Sequence, residues 1–285
     1  MDKFRILIVG CGDVGCHLAN LLQPSYTVYG MRRNTSNLPE NIIALAADFT
    51  KPETLKHLPA VDIIIYCAAP AKNGTDSYQD TYLQGFSNVI KALPNTVKHA
   101  FFTSSTSVYA QDDHQWVNEQ SPTLAQSPKA RIMIAAEQQV LSTTFPSTVV
   151  RFSGIYGFDR LHLLNQVLTN TTSPSHQAHY TNRIHVEDCA GVLKHLIDKA
   201  CANQPLERIY LACDNRPVLK SQVLHWLAEQ TNSQQPVSLD ANKKSGKRCD
   251  NLLLIKSGYQ FRYPDYQFGY SAILKRLQIC RKSSA

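Results

Sequence analysis

The stretch Phe4-Arg5-Ile6-Leu7-Ile8-Val9-Gly10-Cys11-Gly12-Asp13-Val14-Gly15-Cys16-His17-Leu18-Ala19 decides the fold. Phe4, Ile6, Leu7, Ile8 and Val9 form an almost unbroken apolar run, too short for a helix before Gly10, which predicts a strand buried on both faces. Glycines follow at positions 10, 12 and 15. The first permits a tight turn, the second lets the backbone approach a pyrophosphate, and the third lets the next helix pack on the strand. Val14, Leu18, Leu21 and Leu22 then recur at helical spacing, so a helix N-terminus directs its N–H groups and positive dipole end at the phosphates. Strand, glycine turn and helix in this order predict dinucleotide binding through Gly10, Gly12, Asp13, Val14 and Gly15. The alternative is a turn that serves close packing alone.

Working outward, Tyr26 to Gly30 reads as a second strand, after a turn at Pro24-Ser25. The residue past its end contacts the adenosine ribose in a dinucleotide fold, and an acid there accepts from the 2′-hydroxyl of NAD. This chain offers Met31-Arg32-Arg33, and no acid before Glu40. Paired arginines attract a 2′-phosphate, which favours NADP over NAD; an ordinary exposed basic pair is the other reading. Ile42 to Ala47 is a short third strand ending at Asp48, placed to meet an adenine amino group. Pro52 to Leu58 reads as a short helix with Thr50 as its N-cap. Val61 to Cys67 is a fourth strand running into Ala68-Ala69, small enough to lie along a cofactor. Tyr78 to Ala92 is a helix and Lys98 to Ser104 a fifth strand. Strands alternating with helices predict an α/β fold with a doubly wound parallel sheet, whose chemistry lies at the strands' C-terminal ends.

A chain of 285 residues with 43% hydrophobic and 18% charged residues has the composition of an ordinary globular protein. No segment reaches the apolar length of a membrane span, and the N-terminus runs straight into a core strand, so a cytoplasmic protein is expected. The eight cysteines, Cys11, Cys16, Cys67, Cys189, Cys201, Cys213, Cys249 and Cys280, contain no CxxC pair and read as free thiols. The histidines show no metal-binding spacing. From Ala241 onward ten basic residues face two acids, so this part carries the whole excess of the net charge of +7. A solvated basic face is one explanation, and an anionic ligand is the other. No nucleic-acid-binding module accompanies the charge.

From Thr103 the chain resembles a known family. Thr103-Ser104-Ser105-Thr106-Ser107-Val108-Tyr109 is similar to the SSxxVYG segment of the extended short-chain dehydrogenase/reductases, the NAD-dependent epimerase/dehydratases that act on nucleotide sugars. Val149 to Gly157 resembles the family strand ending in R…xxYG, and Asn182 to Ala190 its xRIHVDDxA segment. Arg208 to Ala212, with Asp214 and Pro217, resembles the last sheet strand, and Lys247 to Asn251 with Gly258 to Phe261 the tail of one atypical branch. The resemblance implies a Rossmann domain over 1–157, rejoined by about 183–213, and a smaller substrate-binding part in 158–285. It also implies a homodimer through helices flanking the sheet.

The chain departs from the family at the acid/base pair. Family members use Tyr-x-x-x-Lys, whose lysine lowers the tyrosine pKa. Aligned on Ala136-Glu137, Lys129 stands where the tyrosine belongs and Met133 where the lysine belongs, and none of the 13 tyrosines has a lysine four residues on. Ser105 matches the family serine that hydrogen-bonds the substrate oxygen, with Thr106 beside it; a strand-end serine satisfied by local backbone is the alternative. Lys129 serves as a substitute base if desolvated, and otherwise is a solvated first-turn lysine. Arg183 and His185 fall in the segment that orients the far end of the site, although such a histidine also suits a structural role. Arg151 and Arg160 are candidate phosphate contacts, and Asp188 reads as a helix cap. Two functions remain: an NADP-dependent oxidoreductase or epimerase-like enzyme on a phosphorylated or nucleotide-linked small molecule, and a non-catalytic NADP-binding redox sensor or regulator.

Overall fold

A computed structural model describes residues 3–70, 74–172, 177–235 and 243–278. Cys280, Arg281 and Lys282 lie outside the described residues. The chain divides into two units: Met1–Ala110, Pro122–Arg151 and Cys189–Tyr210 form the first, and Gln111–Ser121, Phe152–Asp188 and Leu211–Ala285 the second. The segment rejoining the first unit is thus shorter than 183–213.

In chain order the first unit opens with β1 (Arg5–Val9), α1 (Asp13–Leu22), β2 (Thr27–Arg32), β3 (Ile43–Ala46) and β4 (Ile63–Tyr66). Next come α2 (Thr75–Gln79), a π-helical stretch Asp80–Gly85, α3 (Phe86–Ala92) and β5 (His99–Ser105). After β6 (Trp116–Val117) of the second unit follow α4 (Pro128–Leu141) and β7 (Ser147–Phe152). The second unit continues with β8 (Gly154–Tyr156), α5 (His162–Leu168), β9 (Gln177–Thr181) and β10 (Arg183–His185). Then α6 (Val186–Cys201) and β11 (Ile209–Ala212) precede β12 (Val218–Leu219), α7 (Lys220–Thr231), β13 (Lys243–Ser245), β14 (Arg248–Cys249), α8 (Leu252–Lys256) and α9 (Tyr266–Arg276).

Seven strands form one parallel sheet in the order β11-β7-β5-β4-β1-β2-β3, the Rossmann arrangement expected from the alternation. Central strands are apolar without alternation because helices cover both faces. Ile6 to Val9 and Ile63 to Tyr66 are accordingly buried, while edge strand β3 leaves Ile43 exposed. The order reverses between β1 and β4, which opens a crevice at their C-terminal ends. The π-helical stretch sits where the buried Tyr66 hydroxyl donates to the Thr81 carbonyl and Gly85 packs on Phe49 and Tyr66. Such wide turns mark insertions into an α-helix.

The second unit packs an aromatic core, with Tyr156, Leu164, Val167, Leu227, Tyr266, Tyr270 and Ile273 buried together. Its short sheets pair β8 with β10, β9 with β12 and β13, and β6 with β14. Several of its excess cations lie against aromatic rings or acids. Arg248 stacks 4.9 Å from the Trp116 ring, Arg276 lies 4.3 Å over Phe158, and Arg262 pairs with Glu187 at 3.1 Å.

Candidate functional site

The glycine-rich loop leaves β1 at the point where the sheet order reverses. Gly10 has φ +78°, and a Cβ there would lie 2.3 Å from the Ala68 backbone, so both left-handed geometry and contact with the loop after β4 require glycine. A Cβ on Gly15 would press to 3.2 Å from Ile8 and 3.3 Å from the Cys67 sulfur, so glycine there lets α1 sit close against the sheet. A Cβ on Gly12 would have only the Gly10 carbonyl oxygen near it, at 3.8 Å, so the side of the loop where a side chain would stand is open. The N–H groups of Gly10 and Cys11 both donate to the Met31 carbonyl, at 3.1 and 3.0 Å, which ties the turn to the end of β2. No side chain caps the first turn of α1. An uncapped ten-residue helix opening onto a glycine turn suits a pyrophosphate, and Asp13 and Val14 occupy its first turn. Ala68 is buried against Gly10, and Ala69 is exposed beside it.

β2 runs two residues beyond its expected end, so Arg32 is its last residue. The Arg32 guanidinium turns back to the loop, with Nη1 3.5 Å from the Cys11 carbonyl oxygen. Arg33 is exposed. Asp48 accepts from the Thr50 N–H at 3.0 Å and hydroxyl at 2.7 Å, which corrects the expectation that Thr50 caps the next helix: Lys51 holds that place, before a 3₁₀ turn. Burial pushes the Asp48 carboxyl upward, but the two Thr50 hydrogen bonds, with Arg33 and Lys51, hold it below the ordinary carboxylate range.

The expected catalytic residues lie at the end of β5 and the start of α4. Ser105 Oγ accepts from the Ser107 N–H at 3.1 Å, capping a 3₁₀ turn that contains Thr106; this is the local role weighed against substrate binding. Lys129 is half-buried, its ammonium 5.1 Å from the centre of the Tyr78 ring. Tyr78 belongs to α2, so the contact joins α2 to α4. Met133, in the family's lysine position, is buried.

Arg151 is placed otherwise than expected. The residue is 3% exposed, with Nε 3.0 Å and Nη2 2.6 Å from the two oxygens of Glu137 and Nη1 2.9 Å from the Tyr109 hydroxyl. Ser104 donates to the same carboxylate at 2.5 Å. A guanidinium engaged on this many sides inside the first unit is a core crosslink, which corrects its reading as a phosphate contact. In the sequence Glu137 stands out only as part of the Ala136-Glu137 pair that aligns with the family, and nothing beside it marks the ion pair.

In the second unit Arg160 is exposed. His185 is fully buried, its ring 4.0 Å from that of Tyr263 and 5.2 Å from Tyr156, and its Nδ1 accepts from the Glu187 N–H at 3.3 Å. That placement is the structural one. Arg183 is also buried, stacked 5.4 Å over Tyr266 and donating to Thr181. Asp188, expected as a helix cap, lies inside α6 and instead accepts from the Tyr259 hydroxyl at 2.7 Å and from the N–H groups of Arg262 and Tyr263 at 2.8 and 2.9 Å. Burial raises its pKa against those hydrogen bonds. Among the described residues no His, Cys, Asp or Glu cluster could hold a metal ion, and no helix is long and apolar enough to cross a membrane.

A sequence profile described as the NAD dependent epimerase/dehydratase family matches residues 6–210. The chain belongs to the NAD-dependent epimerase/dehydratase family. A Methylobacillus flagellatus structure provisionally assigned as an NAD-dependent epimerase/dehydratase is 35% identical, with TM-score 0.87 over 97% of this chain and 100% of that one. A conserved Silicibacter pomeroyi protein of unknown function is 24% identical, with TM-score 0.74 over 96% of this chain and 99% of its own. The dTDP-glucose 4,6-dehydratase of Bacillus anthracis, solved with NAD, shares the fold at 15% identity, with TM-score 0.77 over 96% of each chain. No curated protein matches the chain. The epimerase/dehydratase fingerprint begins in β1 and its profile ends in β11, so the matched region contains every strand of the seven-stranded sheet.

Proposed function

We propose that this epimerase/dehydratase-family chain is an NADP-dependent enzyme acting on a phosphorylated or nucleotide-linked small molecule with a non-standard acid/base. The reading rests above all on the Arg32 guanidinium, folded back against the glycine loop where an NAD-preferring chain carries an acid. The dinucleotide, when bound, accepts or returns a hydride. Gly10, Gly12, Asp13, Val14 and Gly15 hold its pyrophosphate, Ala68 and Ala69 lie along it, Asp48 meets the adenine, and Arg32 and Arg33 take the 2′-phosphate. Ser105, with Thr106, holds a substrate oxygen, and Lys129 moves the proton in place of the missing tyrosine. Arg160 remains a phosphate contact. The protein works in the cytoplasm as a homodimer, without membrane or nucleic acid.

The decisive measurement is the thermal unfolding midpoint with NADPH, NADP, NADH and NAD in turn. A ligand at a hundred times its dissociation constant stabilises the native state by about 2.7 kcal/mol, enough to see. A larger shift with the phosphorylated pair, lost in an Arg32→Ala, Arg33→Ala double variant, is expected; equal shifts with NADH overturn the NADP assignment. The local capping of Ser105 and the absent dyad favour a second reading, a non-catalytic NADP-binding sensor. Hydride transfer that requires Lys129 in a screen of nucleotide sugars excludes that second reading.

A further inference from the structure

We propose that Tyr78 is a positioning residue, the face of whose ring holds the Lys129 ammonium in place for proton transfer. The inference rests on the reading of Lys129 as the proton carrier. Lys129 is the second residue of α4, and its ammonium lies 5.1 Å over the centre of the Tyr78 ring, which α2 supplies. An ammonium within about 6 Å of a ring centroid is drawn to the negative face of the π-system. That attraction matters at this position. The first turn of α4 holds no acid, and a helix N-terminus disfavours a cation. One turn further on, Met133 shares the face of Lys129 and is buried, so the lysine that the family places there is missing.

Tyr78 is itself held. Its ring meets that of Tyr82 edge-on, with centroids 5.3 Å apart. Tyr82 is buried and meets the Phe102 ring edge-on at 6.1 Å, and Phe102 stacks on Tyr66 at 5.8 Å. Edge-on and offset pairs of this kind fix ring orientation as well as burying area. Tyr82 belongs to the π-helical stretch, and wide helical turns recur at functional sites. Phe102 belongs to β5, which ends three residues later at Ser105. An aromatic column therefore runs from the buried sheet to the ammonium. The two groups assigned to the reaction are referred to one strand: Ser105 through its backbone, and Lys129 through the rings of Tyr78, Tyr82 and Phe102.

In the oxidative direction a substrate carbinol carbon gives hydride to the nicotinamide, and its hydroxyl gives its proton to the Lys129 amine nitrogen, leaving a carbonyl and an ammonium. The reverse returns both. The Tyr78 hydroxyl takes no part. Its ring fixes where the nitrogen stands, and a displacement of about 1 Å at a reacting group costs on the order of 100-fold.

The test follows NADPH formation from NADP with a panel of UDP- and dTDP-linked hexoses, in the full-length protein and three variants. Tyr78→Leu should lower kcat by about 2- to 30-fold, the range of a cation–π contact, with KM held within about two-fold. Tyr78→Phe, which keeps the ring and lacks the hydroxyl, should return the wild-type value. Lys129→Arg, which keeps the cation and cannot give up a proton, should be inactive. A second readout reports the contact without substrate. Reductive methylation with isotope-labelled formaldehyde preserves the charge, and the Lys129 methyl resonance is assigned by its loss in Lys129→Arg. Ring current should place that resonance upfield of the other lysines in wild type and Tyr78→Phe, and Tyr78→Leu should return it among them. Turnover lost in Tyr78→Phe, kcat unchanged in Tyr78→Leu, or a wild-type Lys129 resonance among those of the exposed lysines overturns the proposal. If Tyr78→Leu does not fold, turnover in Tyr78→Phe and the wild-type resonance decide. Full turnover in Lys129→Arg, or none in wild type with any sugar, is instead the failure of the proton-carrier reading, and the positioning role falls with it.

Discussion

Arg151 and Arg183 are two buried arginines in family-like segments, each a candidate for substrate binding, Arg151 through phosphate and Arg183 at the far end of the site. In the first unit Arg151 meets a carboxylate, a phenol and, through Glu137, a serine. In the second, Arg183 keeps Nη1 without a hydrogen-bond partner, and the same holds for Asp214 Oδ2, Tyr156 Oη and Ser153 Oγ. Asp214 is 2% exposed; its Oδ1 accepts from the Arg216 N–H at 3.1 Å, and burial, only partly opposed by Arg183, raises its pKa to about 7. The lesson is that burying a charge does not by itself make a strong pair. The first network is complete, so breaking it leaves a buried charge alone; the second is incomplete, so simplifying it relieves a cost.

Breaking the complete network should have the largest effect. Arg151→Leu removes one partner of a buried ion pair and should cost about 3–5 kcal/mol in urea unfolding. A loss near zero would mean that the pair is not what ties α4 to β7.

The incomplete network should respond in the opposite direction. An aspartate whose folded pKa lies above its unfolded value holds a proton in the native state that the unfolded chain releases. Its contribution is therefore fully present below about pH 4, where both states are protonated. It is lost as pH rises through about 7. Asp214→Asn, which keeps the Oδ1 acceptor, should flatten the fall in stability across that window and raise stability at pH 8 by about 2–4 kcal/mol. An unchanged pH slope would place the titration elsewhere.

Two tyrosine hydroxyls sharpen the contrast at smaller scale. Tyr109→Phe strips the acceptor from Arg151 Nη1 and should cost about 1–3 kcal/mol. Tyr156→Phe deletes a buried hydroxyl that has no hydrogen-bond partner and should be neutral or stabilising by up to about 1 kcal/mol. Equal losses in the two variants would erase the distinction between the networks.

Legibility followed the range of the interaction. The turn at Gly10 to Gly15 was readable because left-handed backbone and uncapped helix N–H groups are properties of adjacent residues. The early strands and helices were readable too, within a few residues, because their periodicity is local. The misreadings share a different character. Arg151 meets Glu137 14 residues away, and Asp188 meets Tyr259 71 residues away. Unmarked rather than misread in the sequence is the placement of Lys129 over Tyr78, a contact between α4 and α2. Ser105 showed the opposite: its strand-end position already contained the local capping that the structure displays.

The sequence by itself determined the parallel Rossmann sheet and the glycine turn, because chain sterics and hydrophobic periodicity act between near neighbours, and its motif segments carried the resemblance to the family. Only the tertiary structure decided which charges are neutralised in the core and that Arg32 turns back upon the glycine loop. A charged side chain is stabilised or penalised by whatever distant segment folding brings against it, and that partner is not written beside it in the chain.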